Sequence, residues 1–236
     1  MVDLHSHILP ALDDGAKDVD EALQMLRLAK TQGVDTMVAT PHYHSAVNTI
    51  DTFIQTRNAA YLSLINTIET QEEPVPEIML GAEVYLTPEL AESESLNALC
   101  MGRSKGILLE MPYDIWYDWV YKAIYQIAAK NRVVPVMAHL ERYSVRPGKM
   151  ESIEKLIAMN VYIQINAASL FDHSMWKTIK RFFVLSDRIV LASDAHDMAD
   201  RISLMDQACD KIAKKFGKET LQAVMSNADR LLLENR

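Results

Sequence analysis

Short apolar stretches alternate with longer amphipathic stretches along the whole chain. The short stretches are rich in β-branched residues, which is typical of strands, whereas the longer ones repeat apolar residues at helical spacing. Strands that alternate with helices in this way favour an α/β fold with a parallel sheet. Seven strands are predicted, at residues 2–5, 36–40, 77–83, 106–111, 133–139, 161–166 and 189–193.

Amphipathic helices are predicted between these strands and after the last one. Asp18 is the expected N-cap of the first helix, because Glu21 follows three residues later as in a capping box. Residues 86–103 show no strong strand or long-helix pattern, so we expect short helices over one rim. No linker or repeat divides the chain, and residues 1–236 are therefore expected to form a single domain. The helices are predicted at 18–32, 49–71, 115–131, 150–159, 175–184, 199–215 and 218–234.

The first strand carries the most informative polar residues. Side chains alternate between the two faces of a strand, so Asp3, His5 and His7 are predicted to share one face and Val2 and Leu4 the other. Two imidazoles on one face can bind one metal ion. A buried strand with two hydrogen-bonded histidines explains the same pattern, and the His-x-His motif alone does not separate these readings.

The last predicted strand, 189–193, is followed by Asp194 and His196. The first and last strands of a closed barrel are neighbours, so this pair and the pair at the N-terminus are expected to share a site. Barrel enzymes build their sites at the carboxyl ends of the strands. Mixed imidazole and carboxylate ligands suit Mn, Fe or Zn, and more than four ligands imply more than one ion. The other strand ends supply further candidates: His42, Glu83, Glu110 and His139.

Composition narrows the functional classes. With 49% hydrophobic and 24% charged residues, the chain has the composition of an ordinary globular protein. The formal charge of −8 argues against a large nucleic-acid interface. Only two cysteines and no charged-then-apolar leader at the N-terminus favour a cytoplasmic protein. No apolar run approaches the roughly 18 to 20 residues that span a bilayer, so membrane insertion is not expected. The oligomeric state stays open.

These motifs together resemble the PHP (polymerase and histidinol phosphatase) superfamily over nearly the full length of the chain. The opening, from His5 to Ala16, is similar to that of its bacterial tyrosine-protein phosphatases of the capsule and exopolysaccharide type. The resemblance implies a distorted (β/α)7 TIM-like barrel, the PHP fold. The motifs are His5-Ser6-His7, Asp13-Asp14-Gly15, Thr40-Pro41-His42, Gly81-Ala82-Glu83, Glu110, His139-Leu140-Glu141-Arg142 and Ser193-Asp194-Ala195-His196.

The resemblance also implies three divalent metal ions, usually manganese. In that pattern Glu83 bridges the first and second ions, and Asp13 stays a rival of the adjacent Asp14. The family usually has proline where this chain has Leu140, and His44 and His173 match no ligand position. The implied ligands are His5, His7, Glu83 and Asp194 for the first ion, Glu83, Glu110 and His139 for the second, and Asp14, His42 and His196 for the third.

Arg142 and Arg201 match phosphate-binding positions of the family. Three divalent ions outweigh the charge of four ligating carboxylates and one hydroxide, so the site suits an anionic substrate. Hydroxide is expected to attack in line, while both arginines and the third ion stabilise the transferring phosphoryl group. The expected activity is a metal-dependent protein-tyrosine phosphatase. Its substrate would be a bacterial tyrosine kinase, through its C-terminal tail, or the substrates of that kinase, in capsule or exopolysaccharide synthesis.

Rival functions differ mainly in substrate. A histidinol-phosphate phosphatase would share the metals, although it usually has a histidine where this chain has Asp13 and Asp14. A polymerase-associated exonuclease would need a nucleic-acid surface. A metal-dependent amidohydrolase typically uses a carbamylated lysine or a different ligand set, and no lysine stands at a strand end in the right place. A non-catalytic binding module does not need the complete ligand set. The aromatic residues from Tyr113 to Tyr125 fit a packed helix face or a wall for a phosphotyrosine ring.

Overall fold

The structure, a computed structural model, describes residues 1–145 and 148–233. Within these ranges the chain alternates between strands and helices as the apolar pattern predicts. The strands are β1 (Val2–Ser6), β2 (Thr36–Ala39), β3 (His42–Tyr43), β4 (Glu77–Leu80), β5 (Glu83–Tyr85), β6 (Gly106–Glu110), β7 (Val134–Met137), β8 (Tyr162–Asn166) and β9 (Ile189–Ala192). The α-helices are α1 (Val19–Thr31), α2 (Ile50–Ile68), α3 (Asp118–Asn131), α4 (Lys149–Ile157), α5 (His173–Leu185), α6 (Met205–Phe216) and α7 (Lys218–Leu233).

All strand pairs of the two sheets are parallel. One sheet has the order β1-β2-β4 and the other the order β3-β5-β6-β7-β8-β9. The prediction of a single α/β domain with parallel strands is therefore confirmed. All carboxyl ends within a sheet lie at the same edge, which gathers the polar residues that follow the strands.

Two predicted strands differ from the structure: the strand predicted at 77–83 is divided between β4 and β5, and the one predicted at 36–40 ends at Ala39 and is followed by the short strand β3. Residues 36–40 end early because Pro41 has no N–H group to donate, and residues 77–83 are interrupted at Gly81. A side chain at Gly81 would crowd Val38 and Thr40, and Arg57 donates a hydrogen bond of 2.8 Å to its carbonyl oxygen. The chain changes sheets at both breaks.

A bulge in β1 changes the predicted alternation of side chains. The register with β2 shifts between Asp3 and Ser6. Leu4 packs in the same apolar cluster as Tyr162 of β8, while the His5 ring lies 3.1 Å from the side-chain oxygen of Gln164, on the same face of β8. Leu4 and His5 therefore face the same side, and the prediction that they face opposite sides was wrong because the bulge adds one residue.

Backbone hydrogen bonds link β1 to the chain that follows β9. Asp194 N–H donates to the His5 carbonyl, and His7 N–H donates to the Ala195 carbonyl, both at 2.9 Å. The Asp3 carboxylate accepts from Ser193 N–H at 2.9 Å. These bonds bring His5 of β1 and His7, which follows β1, beside Asp194, as the sequence predicts.

The apolar core leaves one end of the strands free for a site. Leu4, Val38, Leu108 and Val190 form a buried cluster against which Leu231 of α7 packs. A larger cluster lies between the strands and the helices around them. Because α7 packs at this cluster and Asn227 donates to the carbonyls of Asp187 and Ile189 at the start of β9, α7 covers the amino end.

Several helices begin or end at residues other than those predicted. The helix predicted at 199–215 begins only at Met205, because the Asp197 carboxylate accepts the N–H groups of Ala199, Asp200 and Arg201 and winds them into a turn. The helix predicted at 115–131 begins at Asp118, and the last residue predicted for 218–234 lies outside the described residues. Short 3₁₀ helices are confirmed within 86–103, at Pro88–Glu92 and Leu96–Leu99; two more lie at Leu140–Val145 and Ala168–Phe171.

No helix in the described part of the chain is long and apolar enough to cross a membrane. The cytoplasmic location stays a prediction.

Candidate metal centre

The carboxyl ends of the strands gather three overlapping groups of histidine and carboxylate side chains. Within each group, one possible ligand atom per residue lies within 4.8 Å of the others. Every residue predicted as a metal ligand except His139 belongs to one of these groups, and His139 contacts Glu83. The groups are the inner cluster (His5, His7, Glu83 and Asp194), the outer cluster (His7, Asp14, His42 and His196) and the lateral cluster (His42, Glu83 and Glu110).

The inner cluster is fully buried. His5 Nε2 lies 3.2 Å from Glu83 Oε2, 3.3 Å from Asp194 Oδ1 and 3.1 Å from His7 Nε2. Glu83 Oε2 and Asp194 Oδ1 are buried and accept no hydrogen bond. A buried carboxylate oxygen without a donor is strongly unfavourable unless a cation faces it. Two such oxygens beside two imidazoles therefore fit a metal ion.

The outer cluster is partly open to solvent. Asp14 Oδ1 lies 3.2 Å from His42 Nε2 and 3.4 Å from His196 Nε2. The side chains of Asp14 and His42 are 59% and 40% exposed. His7 and His196 are buried, their rings stack at 3.8 Å, and His196 Nε2 has no hydrogen-bond partner. The donor set again fits a cation, at a position nearer to solvent.

Glu83 joins the clusters. Its Oε2 lies 3.1 Å from His42 Nδ1, and its Oε1 lies 2.8 Å from His139 Nε2. His139 Nε2 is also 4.0 Å from Glu110 Oε1. The set that the resemblance implies for a second ion thus lies together, with His42 close to it as well.

The structure separates the two adjacent acids. Asp13 Oδ2 lies 2.7 Å from His7 Nδ1 and accepts from His42 N–H at 3.0 Å, while its Oδ1 accepts from Gly15 N–H. Both oxygens of Asp13 are therefore engaged in orienting its neighbours, and Asp14 is the acid that belongs to the outer cluster. A side chain at Gly15 would collide with the His7 backbone, which explains the glycine after the two acids.

Two residues in the site have left-handed backbone conformations. His139 has φ of 31° and Asp194 has φ of 53°, which residues other than glycine seldom adopt. Such conformations carry a cost of about 1–3 kcal/mol each and concentrate at functional sites. Each residue lies two positions after the end of a strand, His139 after β7 and Asp194 after β9, and contacts the inner cluster or belongs to it.

The electrostatic potential of the site favours cations. Burial opposes the charged form of His7, but its hydrogen bond with Asp13 and the negative charges of Asp13 and Glu83 outweigh this effect and raise the pKa of His7 to about 10. Burial and the charge of Glu83 raise the pKa of Glu110 to about 7. Carboxylates that stabilise an imidazolium this strongly also attract divalent ions.

Both predicted arginines reach the same carboxylate. Arg142 Nη1 lies 3.5 Å and Arg201 Nη2 3.3 Å from Asp194 Oδ2, and Arg201 Nη1 lies 3.1 Å from Asp14 Oδ2. Oδ2 is the oxygen of Asp194 that faces away from the inner cluster. Both guanidinium groups are partly exposed and line a cavity of about 300 Å³ that also contains Ser169. Two guanidinium cations at the edge of the candidate metal site suit a phosphoryl group.

Sequence reasoning missed Gln164 and Asn166 of β8, which contact His5 and Asp194. The available signal was two amides spaced two apart in an apolar strand. The two histidines that matched no ligand position lie outside the three clusters: the His44 ring stacks on that of Tyr85 at 4.8 Å, and His173 is exposed at the start of α5.

The aromatic stretch divides into two parts. The Trp116 indole N–H donates to the Pro112 carbonyl, and the Tyr121 hydroxyl donates to the Ser152 carbonyl, so both are packed. Tyr113 and Tyr117 are 41% and 63% exposed. Tyr113 lies beside the site, with its ring 5.5 Å from that of Tyr143.

Comparisons with known proteins agree with this geometry. The chain is 30% identical to the tyrosine-protein phosphatase CpsB of Streptococcus pneumoniae, over 99% of both chains. It is 31% identical to the tyrosine-protein phosphatase YwqE of Bacillus subtilis, over 100% of this chain and 92% of the relative. A solved structure from a study of YwqE and CpsB, described as metal-dependent tyrosine phosphatases, matches with a TM-score of 0.83 at 28% identity and covers 100% of this chain and 96% of the other.

A mutant organophosphorus hydrolase matches with a TM-score of 0.53 at 12% identity, over 98% of this chain and 92% of the other, a likeness of fold alone. The family described as "Capsular polysaccharide synthesis, CpsB/CapC" matches residues 1–233. The predicted resemblance to capsular tyrosine-protein phosphatases is therefore confirmed. The chain belongs to the CpsB/CapC family of capsular polysaccharide synthesis proteins.

Proposed function

We propose that the chain is a metal-dependent protein-tyrosine phosphatase that acts in capsule or exopolysaccharide synthesis. Its substrate is phosphotyrosine on a bacterial tyrosine kinase, in its C-terminal tail, or on the substrates of that kinase. The carrying observation is the buried inner cluster, in which two carboxylate oxygens have no donor and in which the other oxygen of Asp194 is paired with two arginines. Curated relatives named tyrosine-protein phosphatases support the same activity.

The proposed centre contains three divalent ions. Nitrogen and oxygen donors suit Mn²⁺, which we take as the ion, and also suit Fe or Zn. The inner cluster supplies the first site, and Glu83 extends to a second with Glu110 and His139. The outer cluster supplies the third. Carboxylates and imidazoles at the distances given above support this division.

The proposed scaffold is one PHP-type domain over residues 1–236, a distorted (β/α)7 barrel. Parallel pairing throughout and the hydrogen bonds between β1 and the chain after β9 support it. The sheet change at Pro41 and Gly81 accounts for the distortion, since one side of the barrel is formed by short segments.

Arg142 and Arg201 are the side chains that bind the phosphoryl group of the substrate and stabilise its charge. Divalent ions at such a centre supply hydroxide at neutral pH and neutralise phosphoryl oxygens. Arg142 and Arg201 bind the remaining phosphoryl oxygens through N–H groups that meet at Asp194 Oδ2. Their charge stabilises the phosphoryl group during in-line displacement. The tyrosine phenol has a pKa of about 10, so its phenoxide leaves without a strong general acid.

The proposal is tested with phosphotyrosine peptide, phosphoserine peptide and histidinol phosphate, each with and without Mn²⁺. We expect Mn²⁺-dependent release of phosphate from the phosphotyrosine peptide, abolition by chelator, and little release from phosphoserine. Asp194→Asn should lose both metal and turnover, whereas Arg181→Ala, an exposed arginine on α5, should retain both. Faster turnover of histidinol phosphate would replace the tyrosine phosphatase with that alternative, and metal-independent turnover would overturn the metal centre.

A further inference from the structure

Strand β8 contributes no residue to the three clusters of the described chain, yet it carries two buried amides that face them. Gln164 Oε1 accepts a hydrogen bond of 2.7 Å from the His139 N–H group and lies 3.1 Å from His5 Nδ1. Gln164 Nε2 donates to Asn166 Oδ1, and Asn166 Nδ2 donates to Asp194 Oδ2, both at 2.7 Å. One chain of hydrogen bonds thus connects ligands that arise from β1, β7 and β9.

The direction of this chain is fixed at one end. The His139 N–H group can only donate, so the atom of Gln164 that faces it must be the oxygen. The amide nitrogen of Gln164 then faces Asn166 Oδ1, which in turn sets the orientation of the Asn166 amide. A backbone group therefore determines which atoms of both amides are donors and which are acceptors.

This direction has consequences for two proposed ligands. Because Gln164 Oε1 is an acceptor, His5 must carry its proton on Nδ1, which leaves the Nε2 lone pair for the inner cluster. Because Asn166 donates to Asp194 Oδ2, the other oxygen, Oδ1, faces His5 and His7 without a donor. The two atoms that these hydrogen bonds leave free, His5 Nε2 and Asp194 Oδ1, are the ones that would bind an ion in the inner cluster.

The Gln164 amide also supports the strained backbone that follows β7. The His139 backbone has φ of 31°, and its N–H group is held by Gln164. His139 Nε2 contacts Glu83 at 2.8 Å, so the position of this backbone affects the second proposed site as well.

We propose that Gln164 and Asn166 are positioning residues that set the tautomer of His5 and the free oxygen of Asp194 before a metal ion binds. They act through the hydrogen-bond order of the two amides, not through direct contact with the ion. The inference rests on the proposed metal centre and adds to it a polar relay on a strand without ligands.

Isosteric variants separate hydrogen-bond order from packing. Asn166→Asp keeps the size of the side chain but places a carboxylate oxygen against Asp194 Oδ2. Gln164→Leu removes both hydrogen bonds to His5 and His139. Asn131→Asp is the matched control, because Asn131 is a buried amide on α3 whose hydrogen bonds go to Ser93 and Leu96, outside the clusters.

The readout is Mn²⁺ binding to the metal-free full chain, measured from the electron paramagnetic resonance of free Mn²⁺. Asn166→Asp and Gln164→Leu should each weaken the tightest binding step by about 10- to 100-fold, as the loss of hydrogen bonds to metal ligands does elsewhere. Asn131→Asp should change it less than about twofold, even if it lowers the melting temperature of the metal-free protein as much.

A double variant completes the experiment. Asn166→Leu is measured alone as well, and if the two amides act in one relay, Gln164→Leu combined with Asn166→Leu should weaken binding far less than the product of the effects of these two substitutions measured singly. In the Zn²⁺-loaded protein, the Nδ1–H signal of His5 should be visible by NMR and should exchange faster with water in Gln164→Leu.

The outcomes distinguish the two proposals. Tight Mn²⁺ binding by the unaltered chain, with equally tight binding by Asn166→Asp and Gln164→Leu, would overturn the relay and leave the phosphatase proposal intact. Multiplicative effects in the double variant would likewise overturn the relay as a single unit. Absence of tight Mn²⁺ binding by the unaltered chain would overturn the metal centre, and the relay with it.

Discussion

The inner and outer clusters use the same ligand chemistry in different surroundings. His5, Glu83 and Asp194 of the inner cluster are buried, and neighbouring amides of β8 hold two of them. In the outer cluster Asp14 and His42 are 59% and 40% exposed. Asp14 lies in the loop after β1, and its second oxygen is paired with Arg201.

This difference predicts different metal affinities. Ligands held by buried hydrogen bonds lose little freedom when an ion binds, whereas exposed side chains must be ordered at that moment. The inner cluster should therefore bind its ion tightly, and the outer cluster should exchange its ion with solvent. Arg201 contacts carboxylates of both clusters, so the binding of phosphate is expected to connect them.

The largest effect is expected at Glu83, whose side chain contacts histidines of all three clusters. Glu83→Gln removes a negative charge that lies within 3.2 Å of His5 and His7 and 3.1 Å of His42. Metal should be lost from all sites, with a decrease of about 5 kcal/mol or more in transition-state stabilisation. Metal content per chain and kcat/KM are the measurements. Glu219→Gln, an exposed acid on α7, should behave as the unaltered protein, and a Glu83→Gln variant with full metal content would contradict the bridging assignment.

A smaller effect is expected at Asp14, which belongs to the outer cluster alone. Asp14→Asn should remove one ion, leave the inner cluster loaded and lower kcat/KM by about 4 kcal/mol, because one ion no longer stabilises the phosphoryl charge. In the unaltered protein, metal loss against chelator concentration should occur in two steps. Asp14→Asn should show only the step at higher chelator concentration. Loss of all metal in a single step would show that the two clusters do not differ in affinity.

The next smaller effect is expected at Arg142 and Arg201, whose substitution should leave metal binding unchanged. Arg201→Ala should lower kcat/KM by about 3 kcal/mol and Arg142→Ala by about 2 kcal/mol, since Arg201 is paired with carboxylates of both clusters and Arg142 with one. Arg201→Lys should restore only part of the rate, because an ammonium group cannot bind two phosphoryl oxygens in one plane. Wild-type kcat/KM in Arg201→Ala at full metal content would remove the arginine from the substrate site.

The inner cluster was more predictable from the sequence than the parts that orient it. His5 and His7 lie beside Asp194 because backbone hydrogen bonds join the end of β1 to the residues that follow β9, and both strand ends carry ligand residues that the sequence shows directly. Asp13 and Asp14 could not be separated, because the hydrogen bonds that engage Asp13 come from His7, Gly15 and His42, which are distant in the chain or depend on a turn.

Other features depend on tertiary contacts that no local pattern encodes. Gln164 and Asn166 were missed because amides are poor predictors of metal chemistry, and their role appears only where three strands converge. The position of Arg201 depends on the turn around Asp197, where a helix is the simpler local prediction. The breaks at Pro41 and Gly81 carried local signals, but the change of sheet that follows depends on the partner strands.

The smallest effect is expected at Tyr113, at the rim of the site, where a substitution tests whether substrate recognition extends beyond the two clusters. Tyr113 is 41% exposed and stands over Tyr143, whose hydroxyl donates to the Met111 carbonyl at 2.7 Å, so the support beneath the Tyr113 ring is rigid. Arg142 and Glu110 lie close enough for their charges to influence the pKa of Tyr113, which burial raises.

An aromatic ring at this position can pack against the ring of a bound phosphotyrosine, and such a pair contributes about 0.5–1.5 kcal/mol. Tyr113→Ala should therefore raise KM for phosphotyrosine peptides about threefold at nearly constant kcat, because ground state and transition state lose the same contact. Tyr125→Ala, an aromatic residue on α3 that is 69% exposed, is the matched control and should change neither constant. A fall in kcat without a change in KM would instead connect Tyr113 to Arg142 and the phosphoryl group, and would assign recognition of the ring to another surface.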